Sequence, residues 1–152
     1  DITFGKNNKS LHLSKIQIRD LHLNGWEIGS HGMTHKAFTL MPKDELRKEL
    51  IESKSILENI IDSNITKITP PFSSISKSII KLIKDCDYTH IYYQPNFLEK
   101  YTEKGMIKRH TIYSIDNYKS IQRKINNSVF ELIKESIIHK CSRLTILFKE
   151  IL

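Results

Sequence analysis

Apolar residues first recur with the period of a helix between Ser14 and Asn24. Ser14 is followed three residues later by Gln17, which is the spacing of a capping box at a helix N-terminus. Gly25 comes directly after Asn24 and accepts the left-handed backbone conformation in which many helices end. The pattern therefore predicts a short helix that stops at Asn24 and Gly25.

Further helical patterns begin at Pro42, at Ser76 and near Asp116. Pro42 suits the start of a helix, the residues after it are acidic, and this helix is expected to run to about Asp62. The apolar stripe that it would bury consists of Leu46, Leu50, Leu57 and Ile61. Ser76 is a favourable N-cap for the apolar residues that follow it, and the pattern after Asp116 is again helical.

Short β-prone runs separate these helical segments. They lie at residues 1–4, 26–28, 65–69, 88–93, 106–115 and 144–148. Strands that alternate with helices favour an α/β fold with a mostly parallel sheet or barrel. A chain of 152 residues with 39% hydrophobic residues can bury a core, and we expect one domain that covers residues 1–152.

Composition excludes several classes of protein. Two cysteines without CxxC spacing make neither a disulfide framework nor a cysteine zinc site. No apolar run approaches the length of a membrane span, so no membrane span is expected. No signal peptide is visible at the start, which favours a cytoplasmic location.

The net charge of +7 suggests attraction to anions, including nucleic acid. The 24 lysines and arginines are nevertheless scattered along the chain, and no block of five or six like charges occurs. No nucleic-acid partner is therefore expected. Steeply salt-dependent DNA binding would support the opposite interpretation, a basic nucleic-acid-binding domain.

Two histidines, His31 and His35, stand four positions apart directly after the predicted strand at 26–28. The loop after a strand is where α/β folds gather their ligands, and a tight turn through Gly32 would let two imidazoles converge on one metal ion. In a chain with seven histidines the spacing alone favours a structural role. The pair does not belong to a zincin HExxH motif, because Gly32 occupies the position of the catalytic glutamate.

The residues around this pair resemble the NodB-type polysaccharide deacetylases of carbohydrate esterase family four. The second motif of that family has the form His-[Ser/Thr]-x-x-His and often follows Glu-Ile-Gly-Ser. Here residues 27–30 read Glu-Ile-Gly-Ser, His31 and His35 follow them, and Gly32 replaces the usual Ser or Thr. The resemblance covers about residues 14–93 and implies an irregular (β/α) barrel of the NodB deacetylase type.

The resemblance also implies a chemistry. In such enzymes two histidines and one aspartate hold a divalent metal, commonly zinc, and a metal-bound water attacks the amide carbonyl of an N-acetyl sugar. A second aspartate acts as base, and a histidine on a late strand protonates the leaving amine. His31 and His35 would be the metal ligands, Zn²⁺ the expected ion, and an N-acetylated glycan the substrate.

The third motif of the family, an arginine or its substitute followed by a Pro-aromatic turn, is similar to the segment TPPFS. Pro71 and Phe72 match the Pro-aromatic pair, and Thr69 takes the arginine position. The resemblance implies that Phe72 contributes its backbone N–H to the oxyanion and its ring to the substrate groove. Without the resemblance, the segment indicates a rigid turn at the end of a strand, with an aromatic residue in the core.

Two parts of the family pattern are missing or altered. No Thr-Phe-Asp-Asp motif occurs, and we expect that strand and its aspartates to be absent from this chain, with the barrel incomplete at its N-terminus. His139, within the segment SIIHK, is a candidate for the proton-donating histidine, although the helical period of its neighbours favours a helix surface or core.

Together, the resemblance and these residues imply a metal-dependent deacetylase acting on a polysaccharide or glycan precursor, and the chain by itself is expected to have little turnover. The alternative is a non-catalytic glycan-binding or remnant domain that keeps the shape and has lost the chemistry. An Asp-Asp motif encoded before Asp1 would favour the enzyme.

Overall fold

The structure, a computed structural model, describes residues 12–94, 101, 103–114, 116–126, 128–131, 133–138 and 141. The predicted strands at 1–4 and 144–148 and the candidate His139 lie outside the described residues. Contacts divide the chain into two compact units, Asp1–Ile91 and Tyr92–Leu152, and each unit is described by itself.

The first helix, α1 (Lys15–Leu23), begins at the predicted capping box. The Ser14 hydroxyl accepts the Gln17 N–H at 3.2 Å, and the Ser14 N–H donates to the Gln17 side-chain oxygen at 2.8 Å. Gly25 follows the helix with φ +85°, as the Asn-Gly signal predicts. Both ends of this helix are determined by residues next to them in the chain, so the sequence was sufficient to locate the helix.

The predicted strand at 26–28 was wrong. The Trp26 N–H donates to the carbonyl of Leu21 at 3.0 Å, and the Gly25 N–H donates to His22 at 2.9 Å. These two bonds are the Schellman closure of α1, so the start of the segment is bonded to the helix and not to a strand. Pairing begins only at Ser30, which forms an isolated parallel bridge with Ile68.

The second helix, α2 (Lys43–Ile61), starts after Pro42 and ends at Asp62, whose φ is +53°. Its buried residues are Leu46, Glu49, Leu50, Ser53 and Ile61. Three of the four predicted stripe residues are thus buried, but two polar residues share their face. The helix therefore packs partly through polar side chains, which the site described below uses.

The parallel sheet of the first unit is short. Strand β1 (Lys67–Ile68) pairs in parallel with β2 (His90–Tyr93), with Lys67 opposite His90 and Ile68 opposite Ile91. Ser30 bridges β1 on its other side. Helix α2 separates Ser30 from β1 along the chain, and a parallel strand followed by a helix confirms the predicted α/β class. Only part of a barrel is present among the described residues.

Helix α3 (Lys77–Lys84) lies between β1 and β2 in the chain and begins at the predicted N-cap, where the Ser76 hydroxyl accepts the Ile79 N–H at 3.4 Å. Four of its eight residues are buried. The largest fully buried apolar side chains of the first unit include Phe38, Leu46, Leu50, Ile65, Ile68, Ile83 and Tyr88. This core holds the end of β1 and the loop after Ser30 against α2.

In the second unit, β3 (Met106–Lys108) is shorter than the strand predicted at 106–115. After Lys108, the Arg109 N–H still donates to the Tyr93 carbonyl at 2.8 Å. Further along, a side chain takes the place of a neighbouring strand as hydrogen-bond partner: the Tyr113 N–H donates to the Asp116 carboxylate at 2.8 Å. A strand cannot continue where its backbone groups are bonded to side chains of the same loop.

Helix α4 (Tyr118–Ile125) follows in the second unit, with residues 129–131 and 133–138 also helical. Lys124 of α4 is fully buried, with its ammonium 2.5 Å from Asp116, 3.7 Å from Glu135 and 4.7 Å from the Tyr113 ring centre. The hydrogen bond from Lys124 lowers the pKa of Asp116 to about 2. A buried charge of this kind requires such partners.

None of the helices within the described residues combines the length and the hydropathy that a membrane-spanning segment requires.

Candidate metal centre

His31 is fixed by its neighbours in the sheet. The Ser30 N–H donates to the carbonyl of Lys67, and the Thr69 N–H donates to the carbonyl of Ser30, both at 2.9 Å. These bonds place His31 beside the end of β1, where its Nδ1 lies 2.5 Å from the Thr69 carbonyl oxygen. A carbonyl oxygen only accepts, so Nδ1 carries the hydrogen, and a neutral ring then has its lone pair on Nε2. Metal-binding histidines are commonly oriented by such a bond.

His35 meets His31 across the loop. Its backbone has a positive φ of +58°, and the two ring centres lie 5.0 Å apart with a tilt of 57°. Two imidazoles bound to one tetrahedral zinc have ring centres roughly 5 Å apart, given Zn–N distances of about 2.1 Å. The separation of the two rings is therefore compatible with a shared zinc ion.

The surroundings of His35 favour its neutral form. Desolvation by burial, followed by the neighbouring His31, lowers the pKa of His35 below its ordinary value. A lowered pKa leaves the imidazole uncharged at neutral pH, and only the uncharged ring can bind a metal. Both histidines remain exposed to solvent, so an ion or a ligand can reach them.

Phe72 adjoins the pair. Its ring meets His35 edge-on at a centre-to-centre distance of 4.8 Å. Pro71 is buried and opens the short 3-10 turn Pro71–Ser73 directly after β1. Phe72 and Ser73 have positive φ values of +55° and +47°. Consecutive non-glycine residues in this conformation are costly, and such strain is concentrated at functional sites.

The structure thus places three of the predicted site residues together, His31, His35 and Phe72, with Pro71 positioning the turn that carries Phe72. Within the described part of the chain, no group of three histidine, cysteine, aspartate or glutamate side chains could enclose a metal ion. His139 lies outside the described residues, so its role stays a prediction.

Glu49 was missed by the sequence analysis. One of its carboxyl oxygens, Oε1, accepts the N–H groups of Met33 and Thr34, each at 2.7 Å, and the Thr34 hydroxyl at 3.1 Å. Glu49 is 6% exposed and lies on the apolar face of α2, between Leu46 and Leu50. A carboxyl group inside an apolar stripe was the signal in the sequence, because such a group requires buried donors.

Gly32 occupies a position where a side chain would be strained. Its φ is +80°, and a Cβ added there would lie 2.9 Å from Glu49 Oε1 and 3.3 Å from the Phe38 ring. Serine or threonine would therefore collide with the acceptor that holds the loop, as well as adopt an unfavourable backbone conformation. The hydroxyl that the loop does contain, that of Thr34, bonds to Glu49 instead.

Comparison with solved structures places this fold among deacetylases. A polysaccharide deacetylase from Bacillus cereus has 21% sequence identity and a TM-score of 0.62, with 74% of this chain and 36% of that one covered. A de-N-acetylase from Aggregatibacter actinomycetemcomitans has 15% identity and a TM-score of 0.61, with coverages of 73% and 52%. A Streptococcus pyogenes deacetylase in complex with acetate has 16% identity and a TM-score of 0.54, with coverages of 56% and 38%.

These likenesses establish the fold, and the chain spans between 36% and 52% of the length of the three proteins. No curated protein with which the sequence was compared matches it significantly. Residues 4–91 match the family described as polysaccharide deacetylase, which is more than half of the 152 residues. With the fold and this match in agreement, the chain belongs to the polysaccharide deacetylase family.

Proposed function

We propose that this chain carries the two histidine ligands of a metal-dependent deacetylase that hydrolyses N-acetyl groups of a polysaccharide or glycan precursor. The observation that supports this most directly is the pairing of His31 and His35 at the end of a parallel strand, 5.0 Å apart, with Nδ1 of His31 bonded to a carbonyl. Family membership supports the reaction class and the glycan substrate. We propose Zn²⁺ as the ion because two imidazoles suit it.

Each residue has a role in this proposal. His31 and His35 would hold the metal, His31 through its Nε2, because the bond from Nδ1 to the Thr69 carbonyl holds the His31 ring in position. When bound, the ion supplies Lewis-acid activation of a water molecule near neutral pH. Phe72, next to His35, forms a wall of the substrate groove, and its backbone N–H is assigned to the oxyanion of the reacting acetamido group.

The remaining functional groups are proposed to lie outside the described residues. A third ligand and a general base would come from an Asp-Asp motif that the 152 residues do not contain. His139 remains the proposed donor of a proton to the leaving amine. Because the sequence does not contain this motif, the chain alone is expected to bind zinc weakly and to release little acetate.

Zinc titration of the 152-residue chain tests the ligand assignment. We expect His31→Ala or His35→Ala to weaken zinc binding by at least about tenfold, since each removes one of two protein ligands. His22→Ala is the matched control, because it removes a histidine from α1 and is expected to leave the affinity unchanged. Zinc affinity that survives His31→Ala would refute the assignment.

Acetate release from chito-oligosaccharide tests the reaction itself. Activity is expected from a longer protein that includes the Asp-Asp motif and is expected to disappear with His35→Ala. A longer protein that binds zinc through both histidines and still releases no acetate from acetylated glycans would overturn the deacetylase proposal while leaving the metal site in place.

A further inference from the structure

Two buried polar residues of α2, Glu49 and Ser53, lie four positions apart on the helix face that packs against the first unit. Residues with this spacing lie one above the other on one side of a helix. Both side chains bond to the segment that contains the histidines. The Ser53 hydroxyl lies 2.9 Å from the hydroxyl of Ser30, which also accepts the Gly32 N–H at 3.2 Å.

Glu49 bonds to the middle of the loop. Met33 and Thr34, the residues whose N–H groups it accepts, stand between His31 and His35 in the chain. Two N–H bonds of 2.7 Å to one oxygen fix the backbone on the N-terminal side of His35, where φ is +58°. A non-glycine residue keeps such a conformation only where its surroundings hold it there.

We infer that Glu49 is the positioning residue of the histidine loop: it holds the two imidazoles at the separation needed to share one metal ion. The metal part of this inference rests on the proposed function, whereas the effect on the loop does not. Ser53 and Ser30 hold the strand end of the loop, and Glu49 holds the part that leads into His35. Partners of metal ligands typically change metal affinity about 10- to 100-fold when they are removed.

The absence of Glu49 would leave two partly buried N–H groups without their acceptor. The loop would then turn these groups towards water, because a buried donor without a partner is costly. Since the donors belong to Met33 and Thr34, this movement changes the approach to His35 more than the position of His31, which the sheet and the Thr69 carbonyl hold. The separation of the rings would no longer be fixed.

The first experiment uses the metal-free chain. Hydrogen exchange measured by NMR is expected to show protected Met33 and Thr34 amides in the wild type and at least about tenfold faster exchange in Glu49→Ala, since the acceptor is lost. The imidazole signal of His35 should shift in the same variant. Glu52→Ala removes a half-exposed carboxylate from the same helix, and it should change neither the amide exchange rates nor the His35 signal. Unchanged amides and imidazole signals in Glu49→Ala would overturn the inference.

The second experiment measures zinc affinity by titration. The zinc affinity of Glu49→Ala is expected to be at least about tenfold weaker than that of the wild type. Glu49→Gln keeps one acceptor oxygen and is expected to recover most of the lost affinity. Ile61→Ala serves as the destabilised control, because it creates a cavity in the same helix about 18 Å from Glu49. Equal losses in Glu49→Ala and Ile61→Ala would mean that stability alone is responsible, and would overturn the positioning role.

The two proposals fail in different ways. If the wild type binds zinc through both histidines and Glu49→Ala binds equally well, the positioning role is refuted and the proposed function stands. If zinc binding does not depend on His31 or His35, the proposed metal site is refuted, and the metal-free exchange experiment alone then decides whether Glu49 holds the loop.

Discussion

The substitution Gly32→Ala tests directly whether the histidine loop is packed as tightly as its geometry indicates. Gly32 has φ +80°, and an alanine Cβ would lie 2.9 Å from Glu49 Oε1 and 3.3 Å from the Phe38 ring. A left-handed backbone costs an L-residue about 1–2 kcal/mol. The added methyl group must also displace an oxygen that accepts two N–H bonds of 2.7 Å.

The displacement sets the larger part of the effect. Losing one of these bonds costs about 1–3 kcal/mol when the donor stays buried, so Gly32→Ala should lower the free energy of unfolding by about 2–5 kcal/mol in total. Gly25 provides a matched control, with φ +85° and nothing within 4 Å of an added Cβ. Gly25→Ala is therefore expected to cost only the backbone contribution, about 1–2 kcal/mol.

Urea denaturation followed by far-UV circular dichroism measures the difference between the two variants. Gly32→Ala should unfold at a clearly lower urea concentration than Gly25→Ala, with similar slopes for the two transitions. Equal midpoints would show that the methyl group at position 32 is accommodated without loss. In that case the close contact with Glu49 would have no energetic consequence, and the reasoning about the loop would be wrong.

Two further predictions concern the core and the second unit. Ile83→Ala should lower the free energy of unfolding by about 2–5 kcal/mol because the side chain is 0% exposed. Ile51→Ala, at 50% exposure, should change the free energy of unfolding by less than about 0.5 kcal/mol. Similar urea midpoints for the two variants would contradict this prediction. The pKa of Asp116 is lowered from 3.8 to about 2, so its ionised form stabilises the fold above pH 3.8 and that contribution disappears as the pH falls towards 2. Asp116→Asn should remove this part of the acid dependence in urea midpoints measured against pH, and an unchanged profile would refute the role of its pairing with Lys124.

Helix starts could be predicted from the sequence because their determinants are local. The capping residues Ser14 and Ser76 each bond to a backbone N–H three residues later, so neither depends on distant parts of the chain. The strand expected at 26–28 failed for the opposite reason. Its β-prone residues follow a helix end, and closing that helix uses the Trp26 N–H before any neighbouring strand can.

The site could be predicted only as far as its motif. The spacing of His31 and His35 and the turn at Phe72 were readable in the chain, and the structure brings these residues together. The acceptor Glu49 could not be assigned, because its partners lie 15 and 16 residues away and depend on how α2 packs. The carboxyl group between Leu46 and Leu50 indicated a buried polar contact without identifying what it contacts.

The contact between His31 and Thr69 has a consequence for tolerance to mutation. The atom that sets the tautomer of His31 is a main-chain oxygen, which every amino acid supplies. The side chain at position 69 can therefore change without altering the tautomer of His31. Proline alone is excluded, since position 69 must also donate its N–H to Ser30. The side chain at this edge of the sheet and the orientation of the His31 ring can thus change independently.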